Sequence, residues 1–281
     1  MSLFQIILGL FLAGSVGWAV AQLRGRSWDA RDNDALWAEV QALQPKAPAR
    51  FDAALLEGVP EPAARFFRFA IAPATPLWTV AEIDMGGEFG LGDRANPKYA
   101  PMTAQQILGA PQGFVWKMRS GTVSGSDGLG AHGSWTRFRL FGLVQVAREG
   151  MTEDHRRSAF ARAVAEGLFW TPARFLPGPG VDWQATGPDS ARLTVSHGGL
   201  VQSVELTVGP DGAPVSMVMP RWTNANPLKR WQVQPFGATF GGFRDFAGFR
   251  LPTEVEAGNH FGTPDYFAFF KARVTEVRFP H

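Results

Sequence analysis

The sequence predicts an α+β, mostly β fold: a curved antiparallel sheet of about ten strands, a half-barrel, wrapped on one central helix. Three observations predict it. From Trp78 onward apolar side chains recur with a period of two in run after run. One alanine-rich helical stretch, residues 152–168, interrupts those runs. Ahead of both lie an uncharged N-terminal stretch and short helical segments.

Residues 3–23 carry no charge, and every Asp, Glu, Lys and Arg of the chain lies at or beyond Arg24. Such a stretch spans about 30 Å as a helix, the thickness of a bilayer's hydrocarbon core. Residues 1–23 are therefore expected to be a transmembrane anchor or a signal segment. Ala19-Val20-Ala21 offers the small-x-small pattern of a cleavage site, whereas the leader MSLFQ lacks the basic residues of a signal peptide, which favours an uncleaved single-pass helix. Arg24, Arg26 and Arg31 follow the stretch and would place the body in the cytoplasm by the positive-inside rule.

Residues 24–76 read as a helical connecting region. Leu36, Trp37, Val40 and Leu43 recur at helix spacing, and Pro45 and Pro48 end that element. A second helix begins at Pro60-Glu61-Pro62, where proline suits the first turn, and presents Phe66, Phe67, Phe69 and Ala70. Residues 77–281 form the β half-barrel, read as one domain. Phe114, Trp116 and Met118 alternate with Val115, Lys117 and Arg119, and Val204, Leu206 and Val208 with Ser203, Glu205 and Thr207. That alternation means one apolar and one wet face. Pro210-Asp211-Gly212 marks a hairpin, and the glycine-rich run 121–133 reads as a hairpin loop. In the helix at 152–168, Thr152 is the cap, Phe160, Val164 and Leu168 form a stripe, and alanines at 159, 161, 163 and 165 keep it slim.

Composition narrows the chemistry by exclusion. The 281 residues contain no cysteine, which removes disulfides, thiolate metal sites and cysteine nucleophiles. Net charge is only +2 and the 22 arginines and 5 lysines are dispersed, unlike the basic face of a nucleic-acid binder. The histidines at 132, 155, 197, 260 and 281 are scattered and read as surface or loop residues; no metal ligand set, phosphate loop or nucleophile elbow is present, and no cofactor is implied. What remains is an aromatic surplus of 23 Phe and 10 Trp against 2 Tyr. Rings without hydroxyls suit an interior with few hydrogen-bond partners, either filled or open as a ligand cavity. The candidate lining is Trp116, Phe138, Trp170, Trp183 and Phe240, with Arg174 or Arg244 to meet a polar head group. Glu166 lies four residues before Trp170 and eight before Arg174, so a continuing helix would set all three on one face.

The chain resembles a bacterial family of membrane-anchored, β-rich proteins of unknown function. The resemblance runs from about residue 55 to the end. It is carried by Val59-Pro60-Glu61-Pro62-Ala63-Ala64-Arg65-Phe66-Phe67, Pro101-Met102-Thr103-Ala104-Gln105-Gln106, Gly142-Leu143-Val144-Gln145-Val146 and Leu168-Phe169-Trp170-Thr171-Pro172-Ala173, with Gly178-Pro179-Gly180-Val181-Asp182-Trp183 beyond. It implies a periplasmic body, opposite to the charge rule. The ending Phe243-Arg244-Asp245-Phe246-Ala247-Gly248-Phe249-Arg250-Leu251-Pro252-Thr253-Glu254 is similar to the last strands of Lol-type lipoprotein-carrier half-barrels, which implies an apolar cavity between sheet and helix for acyl chains. The first expectation is thus a membrane-tethered module binding a lipid or similar hydrophobic ligand. An enzyme using Glu166 or Asp245 for proton transfer, and an assembly or scaffold protein with a solid core, are the alternatives.

Overall fold

A computed structural model describes residues 3–280, with the side chains at 3, 4, 6, 8–10, 12 and 13 outside that description. The helix α1 (Leu3–Gln41) is followed by α2 (Glu61–Ala70). A meander of β1 (Ala81–Gly90), β2 (Tyr99–Gly109), β3 (Gly113–Ser120), β4 (Val123–Gly130), β5 (Gly133–Leu140) and β6 (Val144–Gly150) leads into α3 (Glu153–Trp170). A second meander follows: β7 (Val181–Ala185), β8 (Ser190–His197), β9 (Leu200–Val208), β10 (Pro214–Thr223) and β11 (Gln232–Gly241). After the small hairpin β12 (Arg244–Phe246) and β13 (Phe249–Leu251), the chain closes with β14 (Glu254–Asn259) and β15 (Phe267–Arg278).

Thirteen of these strands form one antiparallel sheet in the order β6-β5-β4-β3-β2-β1-β15-β14-β11-β10-β9-β8-β7. The expected count of about ten is therefore low. The short edge strand β7 and the glycine-rich strand β4 account for part of the difference. In β4 the glycines are demanded by neighbours: Gly125 pairs with Phe138 and Gly128 with Trp135 across the β4–β5 ladder. A Cβ on Gly128 would sit 2.4 Å from the Trp135 ring. The run 121–133 is a strand with a tight turn at each end, not a loop.

The two meanders join where β15 pairs with β1, so β6 and β7 become the two outer edges. The chain must cross from one edge to the other, and α3 makes that crossing over the concave face. Thr152 caps it, its hydroxyl accepting from the His155 amide at 3.2 Å. It runs two residues beyond the predicted end, because Phe169 and Trp170 are both buried and Pro172 then stops it. Ala161, Ala163 and Ala165 are at most 2% exposed, so the helix is enclosed nearly all round, and its hydrophobic pattern is broader than one stripe. At Gly167 a Cβ would lie 2.3 Å from that of Ala110, leaving no room for a larger residue.

The expected wet outer face holds for the second meander, where Glu205 and Arg192 pair at 3.2 Å at the surface. It fails for the first. There Leu36 and Val40 of α1 bury Val80, Ile107, Val115 and Trp135 in a second small core on the convex side. Polar contacts fasten the same helix. Asp29 meets Arg139 at 2.7 Å, Arg148 at 3.1 Å and Arg137 at 3.2 Å, while Asn33 accepts from Ser126 at 2.8 Å. The segment expected as a transmembrane helix is thus the first part of a continuous 39-residue helix whose second part packs on the sheet. Among the described residues no helix is long and apolar enough to cross a membrane. Met1 and Ser2 of the expected anchor and the histidine at 281 lie outside the described residues, as do the anchor side chains set aside above.

Asp29→Ala strands the buried Arg139 guanidinium. The expected loss is about 3 kcal/mol, or a Tm lower by roughly 8 °C, measured by thermal denaturation of the full chain. Asp34→Ala, which removes an exposed pair with Lys117, serves as the contrast and costs at most about 0.5 kcal/mol.

Candidate functional site

Between α3 and the concave face lies a cavity of about 260 Å³. One wall is Trp116 on β3 and Thr136 and Phe138 on β5. Opposite, Met217 and Met219 of β10 continue the apolar surface, with Phe236 and Ala238 of β11 beside them. Val255 and Ala257 of β14 and Phe269 and Phe270 of β15 close the third side, and Ala165, Phe169 and Trp170 of α3 form the lid. Period-two alternation explains why so many strands contribute: each sends every second side chain inward. Trp116 and Trp170 are 3% exposed, whereas Phe89, Phe138, Phe236, Phe269 and Phe270 are only partly buried and line the part nearer solvent. A larger open groove of about 1040 Å³ lies between α1 and the convex face, but its charged side chains Asp29, Arg137 and Arg139 are engaged with one another.

One region of the cavity wall is polar. Arg162 of α3 reaches Asp127 of β4 and Glu166 one turn on, each at 2.6 Å, and Gln106 of β2 donates to the other Glu166 oxygen at 2.6 Å. The guanidinium also lies 4.9 Å from the ring centroids of both Phe114 and Trp116. Burial alone would lower the Arg162 pKa, but the adjacent Glu166 and Asp127 carboxylates more than offset it and the net direction is upward. Arg221 of β10 differs. It has no carboxylate within ion-pair distance, its Nε has no hydrogen-bond partner, and its guanidinium rests over Phe236 at 4.9 Å. Burial, reinforced by the charge of Arg162, lowers its pKa to about 10, so it remains a cation at neutral pH. Gln106 Oε1, Trp116 Nε1 and Asp127 Oδ1 are also buried without partners. Four of the six such side-chain atoms among the described residues therefore gather here.

Residues 49–272 match the model of a family of unknown function, DUF6544. The chain belongs to this family. The whole cavity lining, Phe89 through Phe270, falls within the matched residues, while α1 precedes them. No curated protein matches the chain. Among solved structures it is similar to a LolA-superfamily protein from Nitrosomonas europaea, with 9% identity, a TM-score of 0.42 and coverage of 80% of this chain and 91% of that one. An outer membrane lipoprotein-sorting protein domain from Vibrio parahaemolyticus gives 8%, 0.38, 81% and 91% in the same order. A DUF1329-family protein from Desulfovibrio piger gives 7%, 0.36, 78% and 90%.

Of the predicted lining, Trp116, Phe138, Glu166 and Trp170 meet in the cavity. Phe240 stands behind it, its ring 3.8 Å from that of Phe169. Trp183 lies elsewhere, against Phe67 of α2, donating to the Phe175 carbonyl at 2.9 Å. Arg174 sits in a short 3-10 turn, Pro172–Phe175, because Thr171-Pro172 ends the helix before it can share a face with Glu166. Glu166 is paired instead with Arg162, four residues before it. Arg244 and Asp245 are exposed on the β12–β13 hairpin, where Asp245 accepts from the Gly248 amide at 3.2 Å. The polar wall of Gln106, Asp127, Arg162 and Arg221 went unread. Asp127 lies in a glycine-rich run that reads as a loop, and only the Arg162–Glu166 spacing shows along the chain.

His155, expected at the surface, is buried behind the polar wall. Ser134 Oγ lies 2.8 Å from its Nδ1 and Thr136 Oγ1 3.2 Å from its Nε2. Ser134 is 0% exposed, and among the described residues no group of His, Asp and Glu is placed to hold a metal ion. Burial, partly countered by Asp127 and Glu149, lowers the His155 pKa from its ordinary 6.5. A depressed pKa means that the unfolded chain binds the proton more readily, so stability present above about pH 6.5 declines as pH falls through the folded value. Thermal melts from about pH 7.5 down to about pH 5 are expected to show a falling Tm, with a shallower slope in His155→Gln. An equal slope in both proteins removes His155 as the source.

Proposed function

We propose that the protein binds a lipid or other hydrophobic ligand in the cavity between α3 and the concave face of the sheet. The cavity itself supports this most directly. A dry apolar cavity of about 150 Å³ already accommodates a benzene ring, and this one is larger. An apolar chamber of this size between α3 and the sheet supports a site kept open for an occupant over a scaffold with a solid core. The enzymatic alternative has less support: both Glu166 oxygens are engaged by Arg162 and Gln106, and Asp245 caps a surface turn.

The exposed apolar side chains Ile7, Phe11, Val16, Trp18 and Val20 near the start of α1 support association with a lipid surface. On this reading the full chain partitions with membranes and is released by detergent; complete recovery in a salt-washed supernatant overturns it.

Native mass spectrometry of the full chain, purified in mild detergent and incubated with dodecanoate or dodecan-1-ol, is expected to show stoichiometric adducts. Ala257→Leu grows a side chain into the void, so it is expected to keep or raise Tm while abolishing uptake, since overpacking costs only where no space exists. Absence of any adduct with the unmodified chain sinks the proposal.

A further inference from the structure

The polar part of the cavity lining carries two buried donors without acceptors, Arg221 Nε and Trp116 Nε1, beside one buried acceptor without a donor, Asp127 Oδ1. A neutral hydrocarbon would leave both unsatisfied, and each such group costs free energy that an oxygen-bearing ligand recovers. The nearby carboxylates do not serve them: Asp127 and Glu166 direct their paired oxygens at Arg162, which lies between them. Arg162 and these two acids together carry one net negative charge, and Arg221, which brings the four groups to neutrality, is the cation lining the chamber without an ion pair. Its neighbours along the same face of β10, Met219 and Met217, follow at two-residue spacing, so that Met217 stands roughly 13 Å along the strand from Arg221.

We propose that the hydrophobic ligand is an amphiphile with one acidic head group, carboxylate or phosphate, that its anionic oxygens pair with Arg221, and that its alkyl chain runs along Met219 and Met217. This rests on the cavity-binding reading and adds the head group to it. Arg221 provides charge-assisted donors in a site of low dielectric, where an anion gains most from pairing. Trp116 Nε1 supplies a further donor. A cationic head group meets unfavourable charge at Arg221, and a neutral alcohol satisfies the donors without the charge.

The test is displacement of the neutral fluorophore N-phenyl-1-naphthylamine from the full chain. The competitors share one chain length and stay below their micelle concentrations: dodecanoate, dodecyl phosphate, dodecan-1-ol and dodecyltrimethylammonium. Both acids are expected to displace the probe at about tenfold lower concentration than dodecan-1-ol, the cation being weakest. In Arg221→Gln the preference for acids disappears while the dodecan-1-ol value stays; Arg221→Lys keeps part of it. Should Arg221→Gln fail to fold, the ranking in the unmodified chain decides alone. Equal or better displacement by dodecan-1-ol overturns the head-group proposal and leaves cavity binding standing, as does a preference that survives Arg221→Gln. Displacement by acetate or inorganic phosphate alone also overturns it, by showing a small-anion site. A chain that binds neither the probe nor any competitor overturns both readings.

Discussion

The molecule is organised by a connection problem. β6 and β7 bracket α3 in sequence yet stand at opposite edges of one thirteen-stranded sheet. The link between them has to traverse the whole concave surface, and a helix is the compact way to do so with its backbone hydrogen bonds satisfied. A sheet curved around a helix must then meet it closely on every side. Small residues on α3 permit that approach on one side, where Gly167 touches Ala110. Elsewhere a slim helix cannot reach the curved wall, and the space is left to rings projecting from the strands. The cavity is the remainder of that mismatch between a narrow helix and a wide sheet.

Arg162 shows how much polar arrangement such an interior carries. Placing a guanidinium and two carboxylates there costs several kcal/mol of desolvation, and the ion pairs return that only with good geometry. The separations of 2.6 Å to both acids meet that condition. An apolar replacement would fold as well or better, so the triad is not explained by stability. It joins α3 to β4 at one position and leaves Arg221 as the cation without an ion pair.

Much of this was legible in the chain. Alternation along β3 and β9, the cap at Thr152 and the Pro210-Asp211-Gly212 hairpin carry their own local signals, and the structure has strands, helix and turn there. Trp116 and Phe138 were recoverable because inward strand positions follow from period two, and Trp170 from its one-turn spacing to Glu166 on the helix. What was not legible depends on pairing across the sheet. Gly125 and Gly128 look like loop residues until Phe138 and Trp135 are set opposite them. Asp127 and Arg162 are 35 residues apart and meet only once α3 crosses the concave face. Val115 and Trp135 are buried rather than solvated because α1 covers their side, a fact with no trace in the strands themselves.

The sheet is a single layer, so neighbours in sequence serve opposite faces. Ser126 holds Asn33 of α1 on the convex side, and Asp127 holds Arg162 on the concave side. The long N-terminal helix is thus not a tether on which the body swivels. With no loop between its apolar beginning and its docked half, it behaves as a stiff mast set into the outer wall. Whatever the beginning of α1 rests against therefore sets the direction in which the chamber faces, to within the bending of one helix.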